Sequence, residues 1–260
     1  MKPAGGLLLT LAALAVAAPA AAGPWVMPKG DGQVILKYED MRATEGFDPN
    51  GVSMPMPAER RETFISVFAE YGLTARLGVQ FKGDWQSGRD AFVDYEGTGP
   101  LEIGVNWQVW RNTNTAVALY GGVAQAGAGR NAGYATPGAG NQDFEVRAAF
   151  GRSYGKLKWL NYTADSGFVT LEVARRMRSG LPHETRVDAT LGAHFGQDWM
   201  TLTQVYAGQA DNDGPRWVQM ESSVVRRMGN WSAQLGWRTT LSGREAPDVS
   251  GLVVGLWRRF

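Results

Sequence analysis

The sequence has no cysteine, only two histidines and, after its first two dozen residues, no long apolar run. Without cysteine there is no disulfide, no thiolate metal site and no lipoprotein anchor. No segment after residue 22 approaches the ~18 apolar residues of a membrane-spanning helix. An excess of one charge is missing as well. The 26 Lys and Arg nearly balance the 25 Asp and Glu, whereas a nucleic-acid binder held by bulk charge shows a clear basic excess.

The one apolar run that exists lies at the start. Lys2 precedes Leu7–Ala18, and Ala20-Ala21-Ala22 supplies small residues at the cleavage positions. This is the pattern of a secretory signal peptide over residues 1–22, leaving 23–260 as the working chain. Removing Lys2 equalises acids and bases. Glycine is abundant, 34 of 260 residues, and 10 Trp, 8 Tyr and 10 Phe accompany it. Two classes remain: a soluble exported β protein, or a membrane protein whose apolar surface hides in an alternating pattern.

Period-2 segments run throughout. Leu101, Ile103, Val105, Trp107 and Val109 alternate with Glu102, Gly104, Asn106 and Gln108. Leu77, Val79, Phe81 and Trp85 oppose Gln80, Lys82 and Asp84; Phe144, Val146, Ala148 and Phe150 oppose Glu145, Arg147 and Ala149. Val187–Phe195 sets Val187, Ala189, Leu191, Ala193 and Phe195 against Asp188, Thr190, Gly192 and His194, with Arg186 leading the polar set. Such alternation predicts strands near 33–43, 61–72, 76–86, 100–110, 115–124, 143–153, 167–177, 184–195, 199–208, 217–227, 231–241 and 250–260. In 61–72, Phe64 and Phe68 fall on the nominally polar face. No linker divides the series, so one domain is expected.

The connections alternate too. Thr44–Arg60, Gln86–Gly99 and Gln125–Gln142 are long and rich in Gly, Pro, Asn and Asp, whereas Leu73–Ala75, Arg111–Asn114, Gly196–Asp198 and Met228–Asn230 are tight. Only Gly155–Ser166, long where a short turn belongs, breaks the alternation. An even strand number with long and short connections predicts an all-β, closed antiparallel transmembrane barrel of about twelve strands, both termini periplasmic. A soluble sandwich also alternates. Here, however, the polar face holds isolated opposed charges among small residues, as a crowded tube requires: Glu70, Lys82, Glu102, Glu145, Arg147, Glu172, Arg186, Asp188, Glu221 and Arg238. These ten are the expected lumen residues. Tyr71, Trp110, Tyr154, Trp199 and Trp231 beside the short turns, and Trp85 and Trp217 at loop ends, suit interfacial belts.

The chain ends SGLVVGLWRRF. It resembles the terminal signal read by the outer-membrane barrel assembly machinery, with Phe260 as the final aromatic and Gly255 as the upstream glycine. Arg258 departs from that pattern, and an arginine so near the rim is able to snorkel to headgroups. PWVMPKGDGQVILKYED, AEYGLTARLGVQ, GPLEIGVNWQVWRN and VVGLWRRF are similar to proteobacterial outer-membrane barrels of the "MetA-pathway of phenol degradation" type and of exopolysaccharide loci. The resemblance implies export to the outer membrane and a barrel near twelve strands. It brings no catalytic residues.

Chemistry candidates are few. An outer-membrane acyl hydrolase needs a Ser–His pair oriented by a third polar group; Ser179 and His183 are near in sequence, but no hydrolase motif surrounds them. Asp211-Asn212-Asp213-Gly214 has Gln209 where a calcium loop needs its first acid, and reads instead as a hairpin turn. Gly127–Gly133 misses the dinucleotide fingerprint. No cofactor and no metal is expected. The expected partners are outer-membrane lipids, the assembly machinery and small solutes. The reading is a narrow passive pore, with a non-conducting barrel serving a polysaccharide or secretion system as the alternative and a lipid-modifying enzyme as the third.

Overall fold

The computed structural model describes residues 23–159 and 162–260; the expected signal peptide, 1–22, lies outside the described residues. The described chain is entirely β. In order it forms β1 (Gly32–Phe47), β2 (Ser53–Gly72), β3 (Leu77–Arg89), β4 (Asp94–Thr98), β5 (Leu101–Arg111), β6 (Thr115–Gln125), β7 (Gln142–Tyr154), β8 (Leu157–Trp159), β9 (Tyr162–Ala164), β10 (Ser166–Arg178), β11 (Glu184–Phe195), β12 (Trp199–Ala210), β13 (Arg216–Met228), β14 (Trp231–Arg244), β15 (Ala246–Pro247) and β16 (Ser250–Arg259). β4 and β5 both pair with β3 and are two halves of one wall strand. Gly99-Pro100 interrupts them, where proline has no amide for the ladder. β15 likewise precedes β16 along β1.

Twelve wall strands result, each antiparallel to its neighbours. β1 pairs with both β2 and β16, so the sheet closes and leaves no edge. With an even strand number, both ends of the described chain lie at one end of the cylinder, here the lower end. All twelve expected strands are present, and two expected loops are shorter than the sequence suggested. β1 and β2 extend as a hairpin through most of Thr44–Arg60, with a break in register between Ala43 and Glu45. β3 and β4 occupy most of Gln86–Gly99. The anomalous Gly155–Ser166 connection contains the separate β8–β9 hairpin.

Alternation sorts the side chains. Leu36, Ile65, Phe81, Ile103, Val105, Leu119, Val146, Leu171, Val173, Leu191, Val224, Leu235 and Val254 are exposed on the outer face and ring the cylinder. A contiguous apolar girdle of this extent has no place in water and suits hydrocarbon. One bulge preserves it. The register slips between Gln108 and Trp110, so Trp110 pairs with Val117 and points outward instead of into the tube. At the lower rim Arg152, Arg226 and Arg258 lie over the rings of Tyr154, Trp199 and Trp231, at 5.4, 5.3 and 4.8 Å. Arg258, the departure from the terminal pattern, is thus seated on a belt aromatic.

Two features reverse the sequence reading. Phe64 and Phe68 do face inward, but against apolar neighbours: Phe68 and Trp25 pack on a cluster of Ile35, Phe168, Met200, Leu202, Val225 and Trp257, and Phe64 on Met41, Ala43, Val249 and Val253. The interior is therefore apolar in two patches, one on β1, β2, β10, β12, β13 and β16 and one around Met41, Val249 and Val253, while the same strands carry charges at other levels (Lys37, Glu39, Glu62 and Glu221). Trp217 is not a belt residue. It lies over Gly208, where any side chain would collide with the indole, and meets the Tyr134 ring at 6.2 Å.

Candidate functional site

The lower mouth is occupied by the segment before β1. Gln108 Nε2 donates to Pro24 O at 2.7 Å and Asn106 Nδ2 to Gly23 O at 3.3 Å, while Trp25 meets Phe168 edge-on at 6.4 Å. Gly151 gives the room: a Cβ there would overlap Pro24 and Trp25. Thus residues 23–29 thread into the barrel rather than trailing from it.

Above this segment, charges on the inner face join in three clusters. The largest spans β3 to β11. Lys82 pairs with Glu102 (3.2 Å), and Tyr120 Oη also donates to Glu102 (2.8 Å). Arg147 donates to Glu145 (2.9 Å) and Glu172 (2.8 Å). Arg176 binds Glu145 (2.8 Å) and Glu102 and lies 3.7 Å from Asp143. Arg178 donates to Asp143 (3.1 Å) and pairs with Glu184, which also accepts from Arg186 (2.8 Å) and from Tyr134 of the loop 126–141 (2.7 Å). Five bases and five acids share it, so each buried charge has a counter-charge, which is what burial demands. A second cluster joins Lys37 and Arg238 to Glu221 (3.3 and 2.7 Å), with Arg238 also reaching Glu39 (2.8 Å). The third ties the upper loops: Arg60 and Arg130 to Glu62 (2.9 and 3.0 Å), and Arg130 to Asp90 (2.6 Å). Burial works against ionisation of Asp90, but the Phe92 and Val93 amides and Arg130 outweigh it and hold this carboxyl below its ordinary range.

Two cavities remain between these clusters. The upper, about 390 Å³, is lined by Glu39, Glu62, Phe64, Tyr134, Trp217 and Arg238, among others. The lower, about 430 Å³, has Ile35, Phe68, Leu202 and Trp257 on its apolar side and Lys82, Glu102, Arg147 and Glu172 on its charged side. Asp188 and Tyr206 line both.

Of the ten residues read from the sequence as facing the lumen, seven fall in the first cluster or beside it: Lys82, Glu102, Glu145, Arg147, Glu172, Arg186 and, unpaired, Asp188. Glu221 and Arg238 form the second cluster. Glu70 stands apart, buried beside Val26 and Met27 under the entering N-terminal segment. Sequence reasoning missed Lys37, Glu39, Asp143, Arg176, Arg178 and Glu184. All lie on the same alternation as their strand neighbours, so following parity to the strand ends finds them. Glu62 shares the parity of Glu70 in the expected strand 61–72 and is found the same way, whereas Arg60 and Arg130 carried no such signal, because both lie where loops were expected. Gly255 faces inward, where a Cβ would crowd the Gln234–Trp257 hydrogen bond (3.1 Å).

The chemistry candidates resolve into structure. His183 Nδ1 accepts the Arg178 amide (2.9 Å), and His194 sits by the Phe168 ring. Asn212 and Asp213 have φ of 59° and 54°, the geometry of a tight hairpin turn, and Asp211 is gripped by Arg175 (2.8 and 2.5 Å). Among the described residues no group of three or more His, Cys, Asp or Glu is placed to hold a metal.

A closed antiparallel barrel with an apolar girdle, aromatic rims and a charged interior is a transmembrane β-barrel of the outer-membrane type. Solved structures share this fold. The COG4313 outer membrane channel from Pseudomonas putida F1 superposes with a TM-score of 0.68 at 12% identity, over 93% of this chain and 100% of that one. A KdgM porin gives 0.52 at 8% identity, over 87% and 99%, and a NanC porin 0.51 at 8%, over 85% and 98%. No protein-family model matches the chain, and no curated protein matches it.

Proposed function

We propose that this chain is an integral outer-membrane protein, exported by its N-terminal signal and inserted by the barrel assembly machinery, that acts as a narrow passive pore for small hydrophilic or weakly amphipathic solutes. The observation that carries the reading is the unfilled interior: two cavities of about 390 and 430 Å³ follow one another and share Asp188 and Tyr206. A barrel built only as a scaffold gains stability by filling such space. The apolar side of the lower cavity, facing its charged side, suits solutes with both kinds of surface. Glu102, Arg147, Arg186, Asp188 and Arg238 line that path, with Glu145 behind them holding Arg147, so the charge a solute meets is set by these side chains. The fold shared with porins and a channel supports the same reading.

One observation favours the alternative, a non-conducting barrel: the segment 23–29 fills the lower mouth. Reconstitution in planar bilayers decides between them. Discrete conductance steps are expected from the full mature chain, and a barrel that inserts yet stays silent overturns the pore. Parallel assays of lipid hydrolysis with His183→Ala and His194→Ala are expected to match the parent protein, which excludes the enzyme reading.

A further inference from the structure

Each of the three interior clusters is electrically balanced. Five bases meet five acids in the first, Lys37 and Arg238 meet Glu39 and Glu221 in the second, and Arg60 and Arg130 meet Glu62 and Asp90 in the third. Two carboxylates facing the cavities belong to none of them. Among the described residues no hydrogen bond or ion pair reaches Asp188, and Asp84 accepts only from Gln86. Asp188 lies where the two cavities meet, opposite no free cation. Lys82, Arg147 and Arg186 lie within its field, but each is bonded elsewhere. Its cross-strand neighbour is Glu172, itself holding Arg147. If Arg147 swung over to Asp188 it would strand Glu172, so the network has no cation to give. Cations near the lower mouth, such as Arg227 and Arg259, line neither cavity.

We infer that Asp188, assisted by Asp84 on a far wall of the lower cavity, makes the passage prefer cationic solutes. This rests on the pore reading and names the solute class for it. The physical reason is short. In a narrow tube walled by protein and hydrocarbon, the field of an uncompensated charge is focused along the axis, so counter-ions concentrate at the waist and co-ions are repelled. Balanced clusters contribute little at the same distance, because their fields cancel. Neutralising Glu145 or Arg147 would disturb packing as well as charge, whereas Asp188→Asn removes the charge and keeps the shape.

The test is the reversal potential across a bilayer in a KCl gradient at pH 8, where carboxylates are ionised. The parent barrel is expected to favour potassium over chloride, and Asp188→Asn to lower that permeability ratio by at least about twofold, with Asp84→Asn lowering it less and the double variant bringing it close to the free-solution value. Single-channel conductance steps of parental size show that the variant barrel is intact. An anion-selective parent, or an unchanged ratio in Asp188→Asn, overturns the inference. Silence in the bilayer overturns the pore reading and leaves a second measurement for the charge. The chain has no cysteine, so Gln219→Cys, on the strand beyond Tyr206, places one thiol in the upper cavity. The rate with a cationic methanethiosulfonate relative to an anionic one is expected to fall severalfold when Asp188→Asn is added. An unchanged ratio defeats the assignment whether or not the barrel conducts.

Discussion

Arg176 shows what the interior charges do individually. Its side chain is buried, holds Glu145 and Glu102 and lies within 4 Å of Asp143. Such a group is there because the strands around it carry acids, and the acids are tolerable because it is there. Replacing a buried partner is far more costly than exchanging a whole cluster for apolar residues, since it leaves charge without compensation. Arg176→Leu is therefore expected to destabilise the barrel by roughly 3–5 kcal/mol, read as a lower temperature for loss of the fast-migrating folded form in SDS gels. Lys37, with one ion-pair partner at 3.3 Å where Arg176 has three, makes the control: Lys37→Met costs clearly less. If the two variants melt alike, the clusters are not the source of rigidity. Individual charges were legible in the sequence because strand parity displays them, and this is how Glu102, Glu145, Arg147 and Glu172 were recognised. Which acid meets which base was not legible. Pairing depends on the stagger between strands, and a stagger is a property of the closed sheet, not of any one segment.

At the scale of elements, the short segments matter more than the strands. The first upper loop is a small self-contained turn: Asp48 Oδ1 accepts the amides of Val52 and Asn50, both at 2.8 Å. The Val52 amide above all holds this carboxyl below its ordinary range. A lowered folded pKa means the turn is stabilised at neutral pH and loses that support as pH falls through the shifted value. Acidification is thus expected to speed exchange of the Val52 amide beyond the intrinsic pH trend, and Asp48→Asn to do so already at neutral pH; an amide that ignores both shows that the turn is held by its backbone alone. The N-terminal segment has the larger consequence. Its anchors are two amide hydrogen bonds from β5, the packing of Trp25 on the cluster around Ile35 and Phe168, and a bridge from Lys29 to Gly72. Deleting residues 24–29 is expected to raise single-channel conductance severalfold and to lower the melting temperature through the lost Trp25 packing, and equal conductance with and without the segment would show that the narrow point lies above it. Nothing in PWVMPKG announces an inward course, since no alternation governs a segment without a strand partner. Trp217 was misread for a related reason: strand-end aromatics look alike from either face, and only Gly208 on the neighbouring strand shows where the indole fits.

The whole molecule is held by one seam. Eleven of the strand pairs follow from neighbours in sequence, but β1 must find β16 across the full length of the chain, and the two then match from Gln33–Arg259 to Arg42–Ser250. The seam is locked at its lower end by Phe260: Gly32 N donates to Phe260 O at 2.8 Å, Phe260 N donates to Gly32 O at 3.1 Å, and the ring occupies the space a side chain at Gly32 would fill. Phe260 accordingly has two possible duties, as a word in an address and as the last rung of the seam, and they separate cleanly by where the barrel is made. Phe260→Ala keeps both backbone bonds and loses only the ring. If the ring acts as the assembly signal, the variant reaches the outer membrane in much reduced amount in cells, yet refolds from denaturant into detergent with parental yield, because no machinery reads it there. If the ring acts by closing the seam, refolding in detergent falls as well, and Gly32→Val, which expels the ring without altering the terminus, reproduces the loss in both settings. The ring packs on the first strand and still stands 57% exposed, so the pair of settings separates its contact with the barrel from any role of its free face.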